Sequence, residues 1–342
     1  MTSIRDIAKM AGVSPASVSR ILNHDETFSI NENTRQRVIE IANQLNYSKD
    51  KNKKNAKSNR DELSIALIVR HGQGSEKDDP YFRDIRTGIE SEAARWRLRL
   101  VQVFNMKDAE KNLKQLADYG AVIMIGEMDE EATQAIFAYN QRLILVDNYS
   151  EYEGIDCVQT DFAHKTKEVL ELLYNRGHRK IAFVGGLGSK VTMTGESISY
   201  SDEIRAVNYM NWMKLKNLDI HTQVYQGSWQ MESGLELGRQ LLAASNRPTA
   251  VVVASDPLAV GVYKAINEAK LTIPEDISVV SFDDIEMARY MTPSLTSIRM
   301  DAKEMGSLAV KMAKERMLSE RQMPIRIVCS STLEIRESIK SL

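Results

Sequence analysis

With 342 residues, 43% of them hydrophobic and 27% charged, the chain is long enough for two or three globular units and has the make-up of an ordinary water-soluble protein. Its net charge of −2 hides an asymmetry: residues 1–60 carry 11 Lys and Arg against 6 Asp and Glu, or +5, which leaves −7 on the rest. No apolar run approaches a membrane span, and Arg5, Asp6 and Lys9 stand where a signal peptide needs an apolar stretch, so a cytoplasmic protein is expected. Cys157 and Cys329 lack metal or redox spacing, which predicts inert thiols, no metal and no cofactor.

Ile4, Ile7, Ala8 and Ala11 recur at helical spacing, and Gly12 offers the backbone freedom of a sharp turn. A second helix then opens with Ser14 as its cap and Pro15 at its first position, where no intrahelical donor is lost. Val18, Ile21 and Leu22 can turn inward onto the first helix, leaving Pro15, Ala16, Ser17, Ser19 and Arg20 outside. That outer face is small, polar and basic. Small side chains let a helix enter the DNA major groove, where an Arg can hold guanine through two hydrogen bonds and a hydroxyl can reach a base edge or a phosphate. The pattern predicts a helix-turn-helix, and a basic head on an acidic body suits a nucleic-acid-binding end attached to a unit with another task.

The run Ala-Gly-Val-Ser-Pro-Ala-Ser-Val-Ser-Arg-Ile-Leu-Asn, residues 11–23, resembles the amino-terminal motif of the LacI/GalR family of bacterial transcription regulators. The resemblance implies a headpiece over residues 1–48 whose DNA-binding set is Ile4, Ala8, Gly12, Val13, Ser14, Pro15, Ala16, Ser17, Val18, Ser19, Arg20 and Asn23. After a polar loop, Asn31 is placed to cap a third helix running to about Leu45, with Val38, Ile41, Ala42 and Leu45 as its apolar stripe and Tyr47 beneath. Residues 49–62 read as a basic linker. In the family this segment folds on DNA into a hinge helix whose Leu wedges into the minor groove. Residues 49–60 contain no Leu, so a solvated tether is expected instead, with Lys53 and Lys54 contacting phosphates in a salt-dependent way.

From residue 63 onward short apolar runs alternate with helical stretches. Runs at 65–69, 100–104, 122–125 and 143–146 are separated by helical segments at 81–96, 109–117 and 131–139. A second set has runs at 181–184, 224–225, 250–253 and 278–282, with helices near 162–175, 202–215, 231–244, 257–269 and 302–318. Alternation at this spacing implies parallel sheets covered on both faces. The predicted fold is therefore an α-helical helix-turn-helix headpiece plus an α/β core, 63–342, of two doubly wound parallel-sheet subdomains with a boundary near 160. By resemblance that core is periplasmic-binding-protein-like, effector-binding and dimerising.

Ligands in such sheets bind beyond the carboxyl ends of the strands. Asp147, Ser255, Asp256 and Asp283 follow predicted strands and are candidates to accept hydrogen bonds from sugar hydroxyls. For Asp256 and for Asp161 a helix-capping role competes. Arg205 matches the family's effector-binding Arg, Trp229 falls where sugar-responsive members place a ring against a pyranose, and Tyr81 and Phe82 match an aromatic pair that lines the cleft. Arg70, in an unusually long opening loop, is a further candidate. Gly185-Gly186-Leu187-Gly188 lacks the full dinucleotide pattern and reads as a flexible loop. No nucleophile elbow or metal-protease motif is present, so no catalytic role is assigned.

The resemblance implies a homodimeric regulator, a repressor of a sugar-utilisation operon. It would bind a palindromic operator and be released by a small sugar, galactose or a galactoside. The alternatives are a purine effector, a protein co-regulator, or a sugar-binding module without regulatory role. The chain shows no heptad-rich tail, which predicts a dimer rather than a tetramer.

Overall fold

The computed structural model describes residues 4–22, 28, 30–44, 63–70 and 80–342, so Asn23, Leu45, Tyr47, Lys53 and Lys54 lie outside the described residues. The chain divides into two units, residues 1–61 and 62–342. In the first, helices α1 (Ile4–Ala11), α2 (Pro15–Leu22) and α3 (Glu32–Gln44) enclose a small core of Ile7, Ala8, Ala11, Val18, Ile21, Val38 and Ala42. Gly12 turns the chain with φ +65°, and Val13 N–H closes the turn on Ala8 O at 3.1 Å. Ser14 Oγ accepts from Ser17 N–H at 3.1 Å, the bond expected of a helix cap. Asn31 Oδ1 accepts from Asn33 N–H at 2.9 Å, and Arg37 reaches back to Ala11 O at 2.8 Å, tying α3 to the end of α1.

Among the described residues the second unit has two lobes, each built on a six-stranded sheet. The first lobe contains β1 (Ser64–Val69), β2 (Arg99–Asn105), β3 (Ala121–Ile125), β4 (Leu143–Val146), β5 (Asp156–Thr160) and β13 (Arg326–Cys329), all parallel, in the order β13-β5-β4-β3-β1-β2. The second contains β6 (Ile181–Gly186), β9 (Gln223–Gly227), β10 (Ala250–Val253), β11 (Ser278–Asp283), β12 (Thr296–Arg299) and β14 (Thr332–Glu334), in the order β14-β12-β11-β10-β6-β9. Of these, β14 runs antiparallel to its neighbour and the rest are parallel. Central strands such as β1, β3 and β10 are buried along their whole length, which is why they read as unbroken apolar runs.

Helices α4 (Pro80–Arg95) and α5 (Glu130–Tyr139) belong to the first lobe. Helices α6 (Phe162–Asn175), α7 (Ile204–Leu215), α8 (Met231–Ala243) and α9 (Asp256–Glu268) cover the second. Helix α10 (Ala302–Met317) follows the second set in sequence but packs on the first lobe. Gly88 and Gly306 let α4 and α10 touch backbone to backbone: a Cβ on Gly88 would stand 1.9 Å from Lys303 O. The chain thus passes from lobe to lobe at 160–162, again at 299–302 and again at 329–332, so the boundary near 160 is only the first of its crossings.

The helix expected over 109–117 is instead a 3-10 segment, Leu113–Asp118, with Leu116 as its buried anchor. A two-stranded antiparallel hairpin, β7 (Gly188–Val191) and β8 (Ser197–Tyr200), interrupts the second lobe directly after β6.

Candidate DNA-reading face and ligand cavity

On α2 the residues Ser14, Pro15, Ala16 and Arg20 are exposed, with Ser17 and Ser19 half-buried. Ala8 and Val18 are not part of a reading face. They are 4% and 0% exposed and hold α1 and α2 together, and Ile4 and Val13 pack against the same core. The DNA-binding candidates therefore narrow to the outer side of α2, beside Gly12 at the turn. The Arg20 guanidinium lies 5.3 Å from the Phe28 ring centroid, a contact that restricts its rotamers before DNA arrives. Replacing Arg20 with Ala is expected to reduce discrimination between operator and altered half-sites by about 1–3 kcal/mol per lost base contact. Equal losses on operator and random DNA in an anisotropy titration would instead make it a phosphate contact.

Between the lobes lies a cavity of about 550 Å³, within the roughly 300–1,000 Å³ typical of small-molecule sites. Arg70, Tyr81, Phe82, Asp147, Arg205, Trp229, Ser255 and Asp283 all line it. Asp147 follows β4 in a left-handed conformation, φ +57°, and accepts hydrogen bonds from the Tyr81 hydroxyl at 3.0 Å and the Tyr149 hydroxyl at 3.1 Å. Burial pushes its carboxyl up to about 6, against the pull of those two donors and of Arg205. Asp283 closes β11 with φ +106° and Asp284 follows at +51°. Two consecutive non-glycine residues at positive φ hold backbone strain at the cavity wall, the sort of strain that clusters at ligand sites. Ser255 is 7% exposed and its Oγ has no partner among the described residues, which leaves an unsatisfied hydroxyl on a residue of the cavity wall.

Asp256 does not line the cavity, and its place among the ligand-binding candidates is corrected. It is fully buried and accepts hydrogen bonds from Ser297 Oγ and Ile285 N–H, each at 2.8 Å, so it anchors the turn that carries Asp283. Burial raises its carboxyl well above the usual range. The capping roles also fail: Ser255, not Asp256, is the cap residue of α9, and Asp161, at the cap position of α6, accepts instead from Ser331 N–H at 3.1 Å, across to the chain's third crossing.

Arg205 is organised from both sides. The preceding cap residue Glu203 accepts from the Arg205 N–H at 3.0 Å and pairs with its Nε at 2.8 Å, while Nη1 donates to Ala254 O at 2.7 Å. The guanidinium carbon lies 4.0 Å from the Phe162 ring centroid and 4.9 Å from that of Trp229. Trp229 in turn donates from Nε1 to Leu187 O at 2.9 Å. Gly186 makes room for this ring, since a Cβ there would stand 2.2 Å from the indole. Gly185-Gly186-Leu187-Gly188 is therefore not a flexible loop: Gly185 and Gly186 end β6, and Gly188 begins the hairpin, where a Cβ would strike the Tyr200 ring.

Sequence reasoning missed Glu127, Tyr149, Phe162, Ser189 and Tyr200, all of which line the cavity. Glu127 follows β3 and Tyr149 lies two residues past Asp147, so the strand-end rule that found Asp147 reaches both. Ser189 and Tyr200 belong to the hairpin, which has no apolar run to announce it.

A helix-turn-helix head joined to a two-lobed α/β core with a small-molecule cavity defines a class of DNA-binding regulator. Residues 3–50 match the family described as bacterial regulatory proteins, lacI family, and residues 170–339 match the periplasmic binding protein-like domain. The HTH-type transcriptional regulator GalR of Streptococcus thermophilus is 32% identical over 99% of this chain and 100% of its own length. The HTH-type transcriptional repressor MelR of Bacillus subtilis (strain 168) is 30% identical over 99% and 97%. The structure of the lac repressor dimer bound to operator and the anti-inducer ONPF matches in fold, with a TM-score of 0.71 at 22% identity, over 99% of both chains. The chain belongs to the LacI family of DNA-binding transcriptional regulators.

Proposed function

We propose that the protein is a homodimeric repressor of a sugar-utilisation operon that binds a palindromic operator in the cytoplasm and leaves it when an unphosphorylated sugar, galactose or a galactoside, occupies the cavity. The observation that carries this is the pairing, in one cavity, of aromatic walls from Trp229, Phe82 and Phe162 with Asp147, Asp283, Ser255 and Arg205. A pyranose has the matching surface: an apolar C–H face for a ring and a rim of hydroxyls for carboxylate acceptors and charged donors. Arg205 is already neutralised by Glu203, which disfavours a phosphate. The resemblance of Arg205, Trp229 and Asp283 to the sugar-responsive branch supports the galactose choice. A twofold dimer supports operator reading, because a single recognition helix spans too few base pairs.

The test is binding of the full-length protein to DNA from upstream of its own coding region, at fixed salt, with a panel of sugars, sugar phosphates and purines. Release by galactose or a galactoside is the expected result. Release by a purine alone overturns the sugar assignment and leaves DNA binding intact; tight binding unmoved by the whole panel points to a protein co-regulator. Coupling is reciprocal, so operator DNA must weaken the affinity for the releasing compound by the same factor.

A further inference from the structure

The β7–β8 hairpin leaves the second lobe, yet its far end is built into the first. Val191 is 0% exposed within the core cluster of the first lobe, beside Met128. Its N–H donates to Glu127 O and its carbonyl accepts from Asp129 N–H, both at 3.1 Å, so it adds a strand-like bridge next to the cap residue of α5. Lys111 Nζ donates to Met193 O at 2.8 Å. Gly195, with φ +88°, sits so close to the first lobe that a Cβ there would stand 2.5 Å from Lys107 O. Along the hairpin's sides the Tyr200 hydroxyl donates to Glu127 Oε2 at 2.7 Å, and Arg70 donates to Ser189 O at 2.5 Å and also to Ser189 Oγ.

The root of the hairpin is fixed to the other lobe. Leu187 N–H donates to Gly227 O at 2.8 Å, Gln226 Nε2 donates to Ser201 O at 3.0 Å, and Leu187 O accepts from the Trp229 indole. One side of Trp229 lines the cavity and its Nε1 holds the hairpin's root.

We propose that the β7–β8 hairpin is a strap that fastens the two lobes to each other and carries a ligand's displacement of Trp229 into the first lobe. It adds a connection that the three chain crossings do not supply, because it grips the β3–α5 turn at the cavity wall. Held to both lobes beside the cavity, the strap fixes how far they can part before a ligand is present. The link to a ligand rests on the sugar-effector reading; the fastening itself does not.

Hydrogen exchange by mass spectrometry on the full-length protein without sugar tests the fastening, since amides held by a local contact exchange in proportion to the fraction of time that contact is open. Val191→Ser is expected to speed exchange in peptides covering 126–132 and 188–200 by about tenfold or more, with β10 unchanged. Trp229→Phe keeps an aromatic ring but removes the donor to Leu187 O. It is expected to speed the same two regions by about two- to tenfold, the cost of one hydrogen bond. Wild-type exchange of 126–132 in both variants overturns the proposal. Should Val191→Ser loosen the whole chain, Trp229→Phe and Tyr200→Phe decide, because each removes a single donor. A second arm adds galactose at millimolar concentration to the wild type: changed exchange at 126–132 supports transmission through the strap. Galactose without effect on any peptide counts against the sugar reading, while the strap stands or falls on the variants.

Discussion

Asp147→Asn is expected to melt later than the wild type at pH 7 and no later than the wild type at pH 4. Burial raises the Asp147 carboxyl from 3.8 to about 6 in the folded protein. A carboxyl whose folded pKa is raised contributes stability that is complete below pH 3.8 and is lost as pH rises through 6. At pH 7 the wild type holds a buried charge whose cost, from a shift of that size, is about 3 kcal/mol at most. The asparagine side chain carries no charge, keeps an oxygen that can accept from the Tyr81 and Tyr149 hydroxyls, and tolerates the left-handed backbone at this position. Part of the gain is offset by the buried amide N–H groups, so about 1–3 kcal/mol is expected, or roughly 2–6 °C in Tm. Two outcomes sink the argument: equal melting at pH 7, or a gain that persists undiminished at pH 4. If the proposed sugar is the effector, the same substitution should weaken its binding by about tenfold, because a charge-assisted acceptor becomes a neutral one. A more stable protein that responds less well is what a destabilised carboxylate kept for its ligand predicts.

What the sequence made legible follows from how local each signal is. The helix-turn-helix is specified within twenty residues by a cap, a Pro and a Gly, and those signals act where they are read: Ser14 caps, Gly12 turns. The buried strands announce themselves as apolar runs because both faces are covered. Asp147 and Asp283 were found because a strand end is itself a local mark. Asp256 misled because the same mark is shared by residues that face a ligand and residues that brace those that do; only the tertiary partners Ser297 and Ile285 separate the two. The return of α10 to the first lobe depends on the fit of Gly88 against Lys303, more than two hundred residues apart. The hairpin escaped notice for a similar reason. Its Val191 is an isolated apolar residue whose burial comes entirely from the other lobe.

If Arg205 holds the proposed effector, Arg205→Met is expected to give a regulator that leaves its operator only at roughly ten- to hundredfold higher effector concentration. The guanidinium lies near the Phe162 and Trp229 rings at the cavity wall, and a charged hydrogen bond from it to a hydroxyl of the proposed sugar would be worth roughly ten- to hundredfold in affinity. The head that binds DNA is a separate unit, so operator affinity without sugar should be unchanged. The single variant carries a second effect that must be removed before the first can be read. Arg205 and Glu203 are each 8% exposed in their side chains and paired at 2.8 Å, and removing one partner leaves a buried charge unpaired, at a cost of about 3–5 kcal/mol. Combining Arg205→Met with Glu203→Gln neutralises that charge while keeping the oxygen that accepts from the backbone N–H groups of residues 205 and 206. The double variant should recover most of the lost stability and still need the higher effector concentration for release. If its operator complex dissociates at the same sugar concentration as the wild type's, Arg205 braces the cavity through Glu203 and Ala254 without touching what enters it.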